Sequence, residues 1–481
     1  MTTVTEHAPR TRRNVELALL VVAVAIAMGA YGLVGVGVTG QWPAQLFGYG
    51  AGFAVLSLVL HLLVRLRAPY ADPTLLPIAI ALNGIGLAMI HRIDLARIAD
   101  EDYSALAPRQ LIWTAIGAAL AAAVVWFLRD HRVLRRYTYT AMVAGLVLLV
   151  LPLVPVLGKT INGARIWIAV GPLGFQPAEL AKIVLAVFFA GYLVTQRDNL
   201  SLAGRKVLGL QLPRGRDLGP ILIAWIASIG VLVLERDLGT SLLFFGVFVA
   251  MLYVATERVS WIVIGLSLFV AGAVLAYRLF DHVRGRVTAW LDPFDAEVYD
   301  RSFGGSYQLV QGLFGMADGG LVGTGLGRGR PTLVPYSESD FIFASLGEEL
   351  GLAGLFAILL LYMVLVQRGM RTAIGVREGF GKLLAAGLAF TIALQCFVVV
   401  GGVTRVIPLT GLTMPLLAYG GSSLVSNWII IGLLLRISDS ARRPAPSVTA
   451  PQQDSSATQV VSMSPAGGND QTVDLGKGAR E

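Results

Sequence analysis

Apolar stretches of membrane-spanning length recur twelve times along this chain, at 15–38, 46–63, 75–90, 111–128, 139–157, 178–194, 221–234, 240–255, 259–277, 350–366, 383–400 and 416–435. A hydrocarbon core about 30 Å thick needs roughly 20 apolar residues to cross it as a helix. Lipid offers no hydrogen-bond partners, so such segments must satisfy their backbone internally and become α-helices. The expected fold is therefore an all-α polytopic membrane protein of about 12 transmembrane helices. Composition agrees: 55% of residues are hydrophobic, 14% are charged and the mean hydropathy is +0.70, which excludes a water-soluble domain.

The first run follows a basic start, as a cleaved signal peptide would, but no small-x-small cleavage site follows it, so a retained helix is expected. The single cysteine, Cys396, excludes a disulfide framework. Positive charge alternates between loops. Arg10, Arg12 and Arg13, then Arg65 and Arg67, then Arg129, Arg132, Arg135 and Arg136 fall on one side. The segment from Arg197 to Arg216 and the run Arg368, Arg371, Arg377 and Lys382 continue that side, which the positive-inside rule makes cytoplasmic. Both termini are then expected inside, with residues 1–14 a cytoplasmic N-terminus, 15–437 the membrane domain carrying an extracellular loop at 280–343, and 438–481 a disordered cytoplasmic tail rich in Ser, Ala, Pro and Gln. The net charge of +8 reflects this loop bias rather than nucleic-acid binding. There is no repeat of 20–50 residues, no phosphate-binding glycine loop and no metal-ligand spacing of His or Cys, so ATP hydrolysis and structural zinc have no support.

Polar chemistry gathers in three outward segments. The first runs through Arg165 to Gln176-Pro177-Ala178-Glu179-Leu180-Ala181-Lys182. Pro177 can open a helix, which puts Glu179 in its first turn and Lys182 on the same face. These two can form an intrahelical ion pair, or line a polar cavity, because charges entering a membrane mark a site by default. The second segment holds Arg284, Arg286, Asp292-Pro293-Phe294-Asp295, Asp300, Tyr307-Gln308, Gln311 and Asp340. The third holds Arg405 and Tyr419-Gly420-Gly421-Ser422-Ser423, whose small residues suit either ligand contact or close helix packing.

Across these segments the chain resembles the SEDS family (shape, elongation, division and sporulation), which contains the RodA and FtsW proteins. The matching pieces are Asn162-Gly163-Ala164-Arg165, the Gln176–Lys182 run, Glu235-Arg236-Asp237-Leu238-Gly239-Thr240, Ser306-Tyr307-Gln308, Asp340-Phe341-Ile342-Phe343, Gly347-Glu348-Glu349-Leu350-Gly351 and Tyr419–Ser423, in family order. The family core has ten helices, so the first pair here is identified as the addition found in actinobacterial members, and length leans toward the RodA branch. The resemblance implies a peptidoglycan glycosyltransferase acting on lipid II, with a class B penicillin-binding protein as its transpeptidase partner. It implies an acid in the second segment as general base and cations around a lipid pyrophosphate, compatible with a bridging divalent cation (Mg or Mn). Asp295 is the expected base, with Arg165, Glu179, Lys182, Arg286, Tyr307, Gln308, Gln311, Asp340, Arg405, Ser422 and Ser423 expected at the substrate and Arg284 a further candidate cation. This chain departs from the family spacing: Asp295 fits from the proline side, Asp300 from the Tyr307-Gln308 side, and Asp292 reads as a turn cap. Two rival functions remain, a lipid II flippase and a non-catalytic elongation or division scaffold. The flippase would need polar residues through the membrane depth, where Asn83 and Gln395 are among the few.

Overall fold

The twelve apolar runs fall mainly on helices in the computed structural model, which describes residues 11–98, 103–155, 157–161, 164–170, 173–201, 206–207, 210–211, 219–301 and 304–444; the end of the 139–157 run and residues 416–420 of the last run are not helical. The helices are α1 (Arg13–Thr39), α2 (Leu46–Arg67), α3 (Leu75–Arg97), α4 (Ala107–Phe127), α5 (Thr138–Val150), α6 (Pro177–Ser201), α7 (Gly219–Glu235), α8 (Leu238–Thr256) and α9 (Val259–Leu279). Three shorter ones follow, α10 (Asp281–Leu291), α11 (Ala296–Tyr299) and α12 (Tyr307–Gly319). The chain then re-enters the bundle as α13 (Ile342–Gly375), α14 (Gly379–Val403) and α15 (Gly421–Arg442). Among the described residues eleven helical segments are long and apolar enough to cross a membrane, and the twelfth run falls on the shorter α7.

The bundle has an inside. α3, α6, α14 and α15 are its most buried spans, whereas α1, α2, α4 and α9 keep most of their apolar surface outward, as lipid-facing helices do. Close approach at the centre depends on small residues. A Cβ placed on Gly86 of α3 would lie 2.1 Å from the Leu417 carbonyl oxygen, so only glycine lets α3 meet the 404–420 segment there.

Residues 280–343 are expected as a loop, yet their described part carries α10, α11 and α12, an ordered strap and the first two residues of α13. The strap is tied to a break in α13. Gly351 sits at φ 66°, ψ −173°, a conformation open essentially to glycine alone. The break frees backbone groups, and the strap supplies their partners: Thr324 N donates to Glu348 O (3.0 Å), Gly325 N to Glu349 O (3.0 Å), Leu352 N to Gly320 O (2.9 Å) and Ala353 N to Leu321 O (3.0 Å). The apolar run read as starting at Leu350 thus begins one residue before the break.

Two further corrections concern boundaries. The segment before α6 carries a small antiparallel sheet, β1 (Gly158–Ile161), β2 (Ala164–Val170) and β3 (Leu173–Phe175), because the β-branched and aromatic run Ile166-Trp167-Ile168 favours strand over loop. A second hairpin, β4 (Lys206–Val207) with β5 (Leu210–Gln211), lies between α6 and α7. α15 continues to Arg442, so residues 438–442 of the expected tail are helical: Asp439 is buried and receives Tyr70 N at 2.9 Å. The tail from 445, Asn162-Gly163 and most of 202–218 lie outside the described residues.

Candidate active site

Pro177 opens α6 and places Glu179 and Lys182 one turn apart, where Lys182 Nζ meets Glu179 Oε2 at 2.5 Å. Both side chains are buried, with 7% and 3% of their surface accessible for Glu179 and Lys182 respectively. An ion pair so buried must be fastened on every side to repay desolvation. It is. Lys182 Nζ donates to Gln395 Oε1 on α14 (3.0 Å), Gln395 Nε2 donates to Thr413 O (2.9 Å), and Ser426 Oγ on α15 donates to Glu179 Oε2 (2.9 Å). The pair is an intrahelical bridge that also joins three helices and the 404–420 segment.

A second layer lies beside it. Gln176 N donates to Ser422 Oγ (3.2 Å), and Gln176 Nε2 reaches Asp237 Oδ2 at 3.5 Å. Asp237 caps α8 through Thr240 N (2.9 Å) and accepts from Thr240 Oγ1 (2.6 Å). Burial raises the Asp237 carboxyl above its usual range, against the pull of Thr240 and Arg286. Arg286 of α10 donates Nη1 to Leu409 O (2.9 Å), and burial lowers its guanidinium, offset by Asp237 and Asp340. Asp340 is pushed up to about 6, mainly by burial, with Arg286 opposing the shift. A methyl group added to Gly411 would lie 3.8 Å from both Arg286 Nη atoms and from Asp340 Oδ2, which places the pair side by side over that glycine.

Other expected residues stand apart. Asp295 is exposed at the N-terminus of α11, where its Oδ1 accepts Val298 N at 3.1 Å. Asp292 and Asp300 are also exposed, each at the C-terminal end of a short helix. Arg405, at φ 61°, donates Nε to Trp290 O (2.8 Å) and Nη2 to Leu291 O (2.8 Å), while Trp290 Nε1 returns a bond to Arg405 O (3.0 Å). It clamps the 404–420 segment to the end of α10, just before the Asp295 turn. Arg165 donates Nη2 to Val154 O (3.3 Å), at the base of the small sheet. Arg284 pairs with Asp281 on the surface of α10. Gln311 Nε2 donates to Tyr299 OH (3.0 Å), whose ring meets Tyr307 edge-on at 5.3 Å, and Gln308 is half-buried on the same helix. Ser423 is buried and accepts Asn427 Nδ2 at its carbonyl oxygen (2.8 Å).

The sequence reading left Gln176, Asp237, Gln395 and Ser426 off the site. Two signals were present: Asp237 and Thr240 bracket the start of an apolar run as a cap does, and Gln395 interrupts one at membrane depth.

These features define a polytopic helical membrane protein with a buried acid, amine and guanidinium cluster at one end of its bundle, the end that carries the structured 280–341 segment. Residues 73–443 match the model of the cell cycle protein family FtsW/RodA/SpoVE, and the chain belongs to that family. It is 52% identical to "Peptidoglycan glycosyltransferase RodA" of Mycobacterium tuberculosis over 438 residues, covering 90% of this chain and 92% of the relative. It is 35% identical to "Stage V sporulation protein E" of Bacillus subtilis, covering 77% of this chain and 98% of that one. Among solved structures it is similar to a chain from work described as "Structural coordination of polymerization and crosslinking by a peptidoglycan synthase complex" (TM-score 0.60, 28% identity, 77% of this chain and 98% of that chain). It is also similar to the Rod shape determining protein RodA of Thermus thermophilus (TM-score 0.54, 27% identity, 76% and 96%). The family match starts just before α3, so α1 and α2 lie outside the matched region.

Proposed function

We propose that this protein is a peptidoglycan glycosyltransferase of the RodA type, which polymerises lipid II into β-1,4-linked strands at the outer face of the cytoplasmic membrane during elongation or shape maintenance. The observation that carries this is the buried Lys182–Glu179 pair, fastened to α14 and α15 and layered with Arg286, Asp237 and Asp340. Such a cluster holds the cations Lys182 and Arg286 in fixed positions among carboxyls, so they can meet developing negative charge without reorganising, usually the largest single source of stabilisation. In the reaction an acceptor 4-hydroxyl displaces the lipid pyrophosphate from the donor's anomeric carbon with inversion. Lys182 and Arg286 stabilise charge on the departing pyrophosphate. Asp295 takes the hydroxyl proton, general-base work worth about 10²–10⁴-fold. Arg405 acts on the base at one remove, by fixing the end of α10 from which the Asp295 turn starts. Asp300 is the alternative base.

The placement of Arg and Lys supports an outward-facing cluster: Arg65, Arg67, Arg129, Arg132, Arg368 and Arg371 all lie at the opposite end of the helices. A Mg or Mn ion at the pyrophosphate would be held by phosphate oxygens, since among the described residues no group of three or more His, Cys, Asp or Glu is placed to hold one. The transpeptidase partner, a class B penicillin-binding protein, is supported by the structural relative whose description couples polymerisation to crosslinking.

Purified full-length protein given lipid II, alone and with a partner transpeptidase, is expected to yield glycan strands. Absence of strands in both arms, with lipid II moved across liposomes, would replace the transferase with the flippase. Absence of both activities would leave the scaffold.

A further inference from the structure

The segment that carries Asp295 also displays two large apolar rings to solvent. Phe294 is 60% exposed and Phe314 52% exposed, and their ring centroids lie 6.2 Å apart with planes tilted by 36°. They come from different elements, the 292–295 turn and α12. That turn is fixed onto the start of α12 by Ser306, whose Oγ donates to Pro293 O (2.6 Å) and whose N donates to Val298 O (3.1 Å). The aromatic pair is thus held in place before any ligand arrives. In the same stretch of chain Asp292, Asp295, Glu297 and Asp300 are all exposed, beside a single exposed cation, Arg301.

This combination discriminates between occupants. Bilayer hydrocarbon would have to accept several carboxylates along with the rings, at a cost of a few kcal/mol for each one. Anionic lipid headgroups would be repelled by the same acids. A pyranose ring suits both features: its C–H face carries positive edges that rest on the negative face of an aromatic ring, and its hydroxyls donate to carboxylates.

We propose that Phe294 and Phe314, with the carboxylates of the same stretch, form a stacking subsite for an N-acetylhexosamine strand beside Asp295. This rests on the glycosyltransferase reading, and it adds a site that holds sugar rings rather than pyrophosphate. The subsite would keep a strand beside the base between successive additions.

The test uses full-length protein in nanodiscs with a β-1,4-linked N-acetylglucosamine hexamer as probe, read by saturation-transfer NMR, together with strand length from lipid II. Wild type is expected to bind the hexamer through its ring C–H groups. Phe294→Ala and Phe314→Ala are each expected to weaken binding by about tenfold and to shorten strands, and Phe314→Tyr to restore both. Thermal melting checks that the variants are folded. Unchanged binding in both alanine variants overturns the subsite. So does a Phe314→Leu variant equal to wild type, because mere apolarity would then suffice and the patch would belong to a protein partner. Phe-dependent binding in a protein that makes no strands would remove the transferase and leave the sugar site. Normal strands with no such binding would do the reverse.

Discussion

Lys182 is the residue whose loss separates packing from chemistry. Lys182→Ala leaves Glu179 its bond from Ser426 Oγ, so the protein is expected to stay folded and membrane-inserted while polymerisation is abolished. Abundance and melting temperature falling in step with activity would instead assign the pair to packing. Asp295 permits a cleaner division. Asparagine caps a helix as well as aspartate does, so Asp295→Asn keeps the bond to Val298 N and loses only the base. Polymerisation should fall by about 10²–10⁴-fold with lipid II binding retained. Asp300→Asn should keep substantial activity, and the opposite pattern would move the base to Asp300. Asp340 gives a pH signature. Its carboxyl rises from an ordinary 3.8 to about 6, so the folded state holds its proton more tightly than the unfolded state does. The stability this confers is complete below pH ~4 and lost as pH rises through ~6. Asparagine mimics the protonated acid, so Asp340→Asn should melt close to wild type below pH ~4 and increasingly above it as pH rises through ~6, and a flat difference would show that Asp340 is not desolvated.

Among elements, α13 is the one whose irregularity matters most. Gly351→Ala would force a Cβ to 2.2 Å from Gly323 N in a backbone region alanine avoids. It should break the strap off the helix and lower the melting temperature in detergent, at a cost of at least about 1–3 kcal/mol. Gly48→Ala in α2 is the control, since nothing lies within 4 Å of its added methyl, and it should melt at or slightly above wild type. The elements themselves were legible in the sequence because burial in lipid leaves the backbone one solution. Glu179 and Lys182 were legible too, since a proline start and a spacing of three put them on one face. The ordered nature of 280–341 was not legible. Its strap is held by backbone bonds to residues around Gly351, and a pairing of that kind leaves no periodicity to read.

For the molecule as a whole, the alternation of basic loops predicts that both ends of the chain share the cytoplasmic side. An introduced Asp300→Cys should react with an impermeant maleimide in intact cells, whereas Arg371→Cys should react only after lysis. The native Cys396 is buried and adds little background. Labelling in the reverse order would invert the topology and move the proposed active site to the wrong face. By itself the sequence determined where the apolar helices fall, the basic bias between alternate loops, and the family, because each follows from residue type and spacing along the chain. Only the tertiary structure decided which polar residues act together. It joined Lys182 to Gln395 and Glu179 to Ser426, set Arg286 against Asp340 and Asp237, turned Arg405 into a clamp, and left Asp295 at the surface as a cap. Those contacts link positions up to 247 residues apart. They depend on how helices cross and where loops close, geometry that no local pattern of residues encodes.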